Sequence, residues 1–246
     1  MNIINVRNLN LSYGSSHVLK DINLDIKRNK VTAIIGASGS GKSSLLRVFN
    51  RMNDLINKVK IKGEITYNHI DIYKGFNVQE LRREIGIVCQ KSEPFPCSIY
   101  ENIEYAFRIG GIEDKVTVDI LVRKILDRVG LLEEVSYRLH DDASILSVGQ
   151  QQRLCIARAL SLEPNVILLD EPTCNLDPIS TLKIEELIEG LRETHTVVLI
   201  SHDMEQVRRI SDYVVVMNEG YIEEVGPTYE VFYNPKSERT KKYITA

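Results

Sequence analysis

The sequence has no run approaching the roughly 18 uninterrupted apolar residues that a membrane span requires, which excludes a spanning helix. Its opening residues, MNIINVRNLNLSYG, lack the basic-then-apolar order of an export signal. Cysteine is sparse. Cys89, Cys97, Cys155 and Cys174 are scattered with no C-x-x-C spacing, which fits thiols in a reducing compartment better than metal ligation or disulfides. Positive charge is not in excess either: 31 Lys and Arg stand against 34 Asp and Glu, a formal charge of −3. That argues against a nucleic-acid binder relying on a globally basic surface. No internal repeat is present, so a solenoid is excluded, and no Gly/Ser/Pro-rich linker divides the chain. What remains is 246 residues, 43% hydrophobic and 26% charged, the composition of an ordinary globular protein with ample core. The expectation is a soluble, cytoplasmic chain forming a single domain, 1–246.

The apolar pattern changes along the chain. IINVRNLNLSY and INLDI alternate apolar and polar residues, as strands with one wet face do. KVTAIIGASGSGKSSLLRVFNRM reads as a buried strand, a glycine turn and a helix from about Lys42. GEITYNHIDI predicts a strand pair, and IGIVCQ a short buried strand. From about Ser98 to Arg158 apolar residues recur at helical spacing. NVILLDEP and HTVVLISHD are continuous apolar runs ending in polar residues, the pattern of parallel strands buried on both faces. Between them PISTLKIEELIEGLRE predicts a helix opened by Pro178. That order argues for an α/β sheet with crossover helices, and YVVVMNEGYIEEV for a closing hairpin at Asn218–Glu219–Gly220.

GASGSGKS, Gly36 to Ser43, fits G-x-x-x-x-G-K-[ST] between a predicted strand and a predicted helix. Its glycines let successive backbone N–H groups turn toward one concavity, Lys42 adds a full positive charge, and the Ser43 hydroxyl can ligate Mg²⁺. The loop alone leaves kinases, GTPases and ATPases open. Asp170, ending a buried strand, would hold Mg²⁺, and Glu171 could deprotonate an attacking water. Alone, such an acidic pair would read as a helix cap. His202 ends the next apolar strand and could reach a γ-phosphate. Gln90, ending IGIVCQ, could ligate the metal or the attacking water. LSVGQ, Leu146–Gln150, has no nucleophile or metal pair, yet small polar residues at a helix start suit an anion.

Taken together, these stretches resemble the nucleotide-binding domain of ABC transporters nearly end to end. The resemblance implies fold class α/β: a P-loop NTPase core with a parallel sheet, an N-terminal antiparallel β subdomain and an inserted helical subdomain at roughly 91–146. It implies ATP and Mg²⁺ as cofactors. Gly36, Ala37, Ser38, Gly39, Ser40, Gly41, Lys42 and Ser43 match the Walker A loop, Gln90 the Q-loop, Asp170 and Glu171 the Walker B end, Asp177 the D-loop and His202 the switch histidine. Tyr13 sits where the family stacks an aromatic on adenine, with Val18 beside it. LSVGQ matches the signature usually written LSGGQ, with Val148 in place of a glycine. Ordinary backbone conformation is expected at Val148, its side chain turned off the phosphate.

FNRMNDL, PFPCSIYENI, GQQQRLCIARAL and the tail NPKSERTKKYITA are similar to the ATPase subunit of phosphate importers. That likeness implies a homodimer in which Ser147, Gly149 and Gln150 of one chain close on the other's nucleotide. It further implies two integral membrane permease subunits, touched by EPFPCSIYEN, an extracytoplasmic phosphate-binding protein, and a peripheral location on the cytoplasmic face of the membrane. The alternatives are an ABC ATPase for another small polar solute, and a non-transport P-loop ATPase or kinase.

Overall fold

The computed structural model describes residues 1–91 and 93–245. Ser92, within the expected helical segment, and Ala246, last of the tail stretch, lie outside the described residues. The chain runs β1 (Asn2–Tyr13), β2 (Ser16–Lys27), β3 (Val31–Gly36), α1 (Lys42–Val48), β4 (Val59–Tyr67), β5 (Ile70–Asp71), α2 (Val78–Glu84) and β6 (Ile85–Val88). Helices α3 (Ile99–Ile109), α4 (Lys115–Arg128), α5 (Leu132–Val135) and α6 (Val148–Leu160) follow. Then come β7 (Val166–Asp170), α7 (Pro178–Leu191), β8 (Thr196–Ile200), α8 (Met204–Ile210), β9 (Tyr213–Asn218), β10 (Tyr221–Pro227), α9 (Thr228–Tyr233) and α10 (Glu238–Ile244). None of the helices is long and apolar enough to cross a membrane among the described residues.

Two sheets form. β2-β1-β4-β5 is antiparallel, and β10-β9-β3-β8-β7-β6 is parallel except for its edge strand β10. In β1 the alternation that buries Ile4 and Val6 shifts by one residue to bury Leu9 and Leu11, where the register slips and Asn8 takes φ +50. Asparagine tolerates that conformation, and its N–H is taken by the Asn23 side chain at 3.0 Å. The closing hairpin turns on Glu219 and Gly220, both with positive φ, as a two-residue turn of matching twist requires.

The continuous apolar runs are explained by burial on two faces. Val31, Ala33 and Ile35, with Ile167, Leu169, Val197 and Leu199, face a core shared with α3, α4, α6, α7 and α8. Ile34, Val166, Leu168, Val198 and Ile200 face a second core closed by the antiparallel sheet and α1. The register pairs Ile200 with both Ile34 and Asp170, and Leu169 with Val88. The carboxyl ends of β3, β8, β7 and β6 are therefore level, and the loops leaving them meet at one edge.

A buried polar network ties the segments after β7 and β8 together. Gln206 on α8 is 0% exposed and bonds with Thr173 at 3.0 and 3.1 Å, accepts from Ser201 at 2.8 Å and donates to Glu185 at 3.1 Å. Glu185 on α7 is buried and accepts a two-pronged bond from Arg209 at 2.8 and 3.2 Å. Removing the cation leaves a buried carboxylate with one amide partner. Arg209→Ala is expected to cost about 2 kcal/mol in denaturant unfolding, less than a wholly buried pair because Arg209 is half exposed. A loss within error of zero would show the pair to be neutral.

Candidate active site

The level strand ends enclose a cleft of about 430 Å³ lined by Val18, Ser38, Gly39, Gly41, Lys42, Ser43, Ser44, Gln90, Glu171 and His202. One wall is the loop from Gly36 to Ser43. Gly36, at φ +147, lies against the Met217 carbonyl, which would be 2.2 Å from a Cβ there. Gly41, at φ +102, caps α1 with Leu19 Cδ2 2.9 Å from where its Cβ would stand. Neither position accepts a side chain, so the loop's path depends on both. Lys42 Nζ donates to the carbonyls of Gly36 at 2.7 Å and Ala37 at 2.9 Å, so the ammonium lies over the loop it follows. Burial lowers its pKa, opposed by the nearby charges of Glu171 and Asp170. Ser40 Oγ is buried with no hydrogen-bond partner among the described residues. An ammonium resting on backbone carbonyls at the cleft wall fits a loop built for phosphate oxygens.

Asp170, 3% exposed at the end of β7, accepts the Ser43 hydroxyl at 3.1 Å and has Arg47 at 3.8 Å. Ser43 and Asp170 offer hard oxygen donors side by side, which fits Mg²⁺ held partly by protein and partly by water and phosphate. Among the described residues no three His, Cys, Asp or Glu converge as a metal cage. Glu171 next to it has φ +52, with its N–H bonded to the Ile200 carbonyl at 3.1 Å. This left-handed turn ends the strand's alternation and lets the side chain join the cleft lining. There the carboxylate accepts Gln90 Nε2 at 2.6 Å and meets His202 Nε2 at 2.5 Å. The arrangement can hold a carboxylate in one orientation, facing a loop that gathers phosphate.

The remaining expected residues lie elsewhere. Tyr13 is partly buried against the antiparallel core, and its hydroxyl bonds to Asn53 at 2.6 Å and Ser44 at 3.4 Å, so it stands at the cleft's margin. Ser147, Gly149, Gln150 and Asp177 do not line the cleft. Ser147 caps α6 in a reciprocal box with Gln150: its Oγ accepts the Gln150 N–H at 3.4 Å, and Gln150 Oε1 accepts the Ser147 N–H at 3.0 Å. The Ser147 hydroxyl proton remains available to donate. Gly149 is required by packing, because a Cβ there would stand 2.4 Å from Ser180 Oγ on α7. Asp177 caps α7, accepting the N–H groups of Ile179 and Ser180 and the Ser180 hydroxyl at 2.6 Å. Val148 is the first residue of α6, does not have positive φ, and has its side chain 61% exposed. Sequence reasoning passed over Arg47, Ser44, Asn53 and Gln206, which carry no motif spacing of their own.

Asp170 is also the most deeply buried carboxyl of the cleft edge. Burial raises its pKa most, against the Ser43 hydrogen bond and the Arg47 charge. A carboxyl raised in the folded state contributes fully to stability only below its unfolded value, and that contribution fades as pH rises through the folded value. At neutral pH the ionised form therefore costs stability. Asp170→Asn is expected to raise the Tm of the nucleotide-free chain at pH 7, with the difference vanishing below about pH 4. A lower Tm for the variant at pH 7 would contradict this.

Residues 19–174, which hold the phosphate loop, Gln90, LSVGQ, Asp170 and Glu171, match the family described as ABC transporter. A curated relative, "Phosphate import ATP-binding protein PstB" of Borreliella afzelii (strain PKo), is 50% identical over 244 residues, covering 99% of this chain and 94% of its own. Among solved structures, cbiO1 of Clostridium perfringens, part of the ABC transporter complex cbiONQ, matches with TM-score 0.82 and 33% identity over 95% of this chain and 91% of that one. A bacterial Atm1-family ABC exporter with ATP bound matches with TM-score 0.84 over 99% of this chain and 41% of that one; at 23% identity it shares the fold alone. With the phosphate loop, the acidic pair and the LSVGQ turn all inside the matched region, the chain belongs to the ABC transporter family.

Proposed function

We propose that this chain is the ATP-hydrolysing subunit of an ABC import complex for inorganic phosphate, acting as a homodimer on the cytoplasmic face of the membrane. The observation that carries the hydrolytic role is Glu171, held between Gln90 and His202 and facing the phosphate loop. The loop's N–H groups and Lys42 take the β- and γ-phosphates, Lys42 exchanging two backbone carbonyls for phosphate oxygens. Ser43 and Asp170, with Gln90 nearby, would hold Mg²⁺, which would supply positive charge against the phosphates. Glu171 accepts a proton from the attacking water, and Gln90 keeps the carboxylate aimed. His202 is engaged by Glu171 at 2.5 Å, so a γ-phosphate must compete for its ring, and that exchange frees one carboxylate oxygen for water. Val18 lines the cleft for the nucleoside, with Tyr13 at its margin.

The cleft contains no signature residue of its own chain. Ser147, with a free hydroxyl proton, and Gly149, with a close backbone, serve the nucleotide of a second copy, while Gln150 holds the turn and Asp177 lies at the neighbouring cap. Each site is thus completed by dimerisation. Phosphate as cargo rests on 50% identity to the phosphate-import relative over 99% of the chain. Two integral membrane permease subunits, contacted through 93–102, carry the pathway, and an extracytoplasmic binding protein delivers the cargo. The chain works on no nucleic acid.

Glu171→Gln is expected to bind MgATP, lose roughly 100-fold or more in turnover, and accumulate as a dimer on size-exclusion chromatography. Turnover within tenfold of the parent would remove Glu171 from the role of base. In cells, replacing the chain with this variant is expected to abolish uptake of radiolabelled phosphate, and the parent to co-purify with a permease pair. Unchanged phosphate uptake, with another solute's uptake lost, would reassign the cargo.

A further inference from the structure

Glu134, on the short helix α5, lines no part of the nucleotide cleft and belongs to none of the motifs. Its carboxylate nevertheless joins three elements. Oε2 accepts Gln150 Nε2 and Arg153 Nη2, both at 2.9 Å, and Oε1 accepts Lys183 Nζ at 2.6 Å. Gln150 and Arg153 are on α6 and Lys183 on α7. Arg153 is 2% exposed and also donates to the Gly130 carbonyl, fixing the turn between α4 and α5. Burial alone would raise the Glu134 pKa, but the bonds from Arg153, Lys183 and Gln150 outweigh it and hold the carboxyl at about 2. It stays ionised, and so keeps all three donors, across the physiological range.

The bonds continue to the signature. Gln150, anchored by Glu134 through its amide nitrogen, uses its amide oxygen to accept the Ser147 N–H at 3.0 Å. α6 and α7 also touch at a second point, where Gly149 lies against Ser180, itself bonded to the Asp177 cap. One close contact between two helices is a pivot. Two separated contacts remove the rotation.

We propose that Glu134 is a positioning residue: it clasps α6 to α7 so that Ser147 and Gly149 are presented to the nucleotide of a second copy in fixed register with Asp177. The assignment rests on the two-copy reading above, and goes beyond it by naming what sets the orientation of the turn. Lys183 is the clasp's arm to α7, and Gln150 its arm to the cap.

The test uses the full chain carrying Glu171→Gln, with MgATP as probe. Adding Glu134→Gln, which keeps the shape and one acceptor but removes the ion pairs, is expected to weaken MgATP-driven dimerisation tenfold or more by sedimentation. Lys183→Met, which spares Gln150 and Arg153, is expected to weaken it about threefold. In both, the MgATP affinity of the dilute monomer is expected within twofold of the parent; exchange of the Ser147 and Gln150 amides is expected at least tenfold faster in Glu134→Gln and within twofold of the parent in Lys183→Met, which leaves the Gln150 bonds in place. Unchanged dimerisation and exchange in Glu134→Gln would overturn the assignment and leave the two-copy reading standing. Loss of monomer nucleotide binding or of cooperative melting in both variants would make Glu134 a general stability residue and also overturn it. Failure of the Glu171→Gln parent itself to dimerise would bring down the two-copy reading, and this inference with it.

Discussion

Parallel strands end at a common edge, and that edge sets where the charged groups of this molecule can act. Because β3, β8, β7 and β6 are in level register, residues from four distant stretches of sequence meet without any long side chain having to reach. The phosphate loop leaves β3, Asp170 and Glu171 leave β7, His202 follows β8 and Gln90 follows β6. Apolar residues do the aligning. Val31 to Ile35, Val166 to Leu169 and Thr196 to Ile200 are all buried, and a one-residue slip of any strand would exchange its two faces between two different cores.

The edge so formed is held at some cost. Asp170 is buried beside a hydroxyl and a distant guanidinium, and Lys42 is partly desolvated over backbone carbonyls. Glu171 adopts a backbone conformation that L-residues rarely take. Such features persist where surrounding structure over-determines them. Here the support is the network of Gln206 with Thr173, Ser201 and Glu185, which joins the segments that follow β7 and β8.

Much of this was legible in the sequence. GASGSGKS and VILLDEP announce themselves through glycine spacing and through polar residues that end apolar runs, signals that depend only on local chain order. The paired strands, the closing hairpin and the helix opened by Pro178 follow from periodicity in the same way. Val148 was readable too, since a first helical turn demands negative φ of any residue. What was not legible depends on distance in space. Nothing in the sequence marks Glu171 as left-handed, because the turn is imposed by its N–H bonding to Ile200 on the neighbouring strand. Tyr13 matches the family's adenine-stacking position, and nothing in that match marks its hydroxyl bond to Asn53. Gln150 matches the last residue of the signature, and nothing in that match marks the bonds its amide makes to Ser147 and Glu134. Glu134 and Lys183 are ordinary surface-helix residues until α5, α6 and α7 are assembled.

The division of the interior into two cores by a single sheet has a thermodynamic corollary. Leu168 and Leu169 are adjacent in sequence and equally buried, yet their side chains belong to different packed volumes. Losses from truncating them should sum with little interaction energy, whereas Leu169 and Leu199, on different strands, share one volume. Proximity along the chain is therefore a poor guide to energetic coupling in this protein. Substitutions that tune the helical side are free to accumulate without disturbing the antiparallel side, so long as the strands between them keep their register.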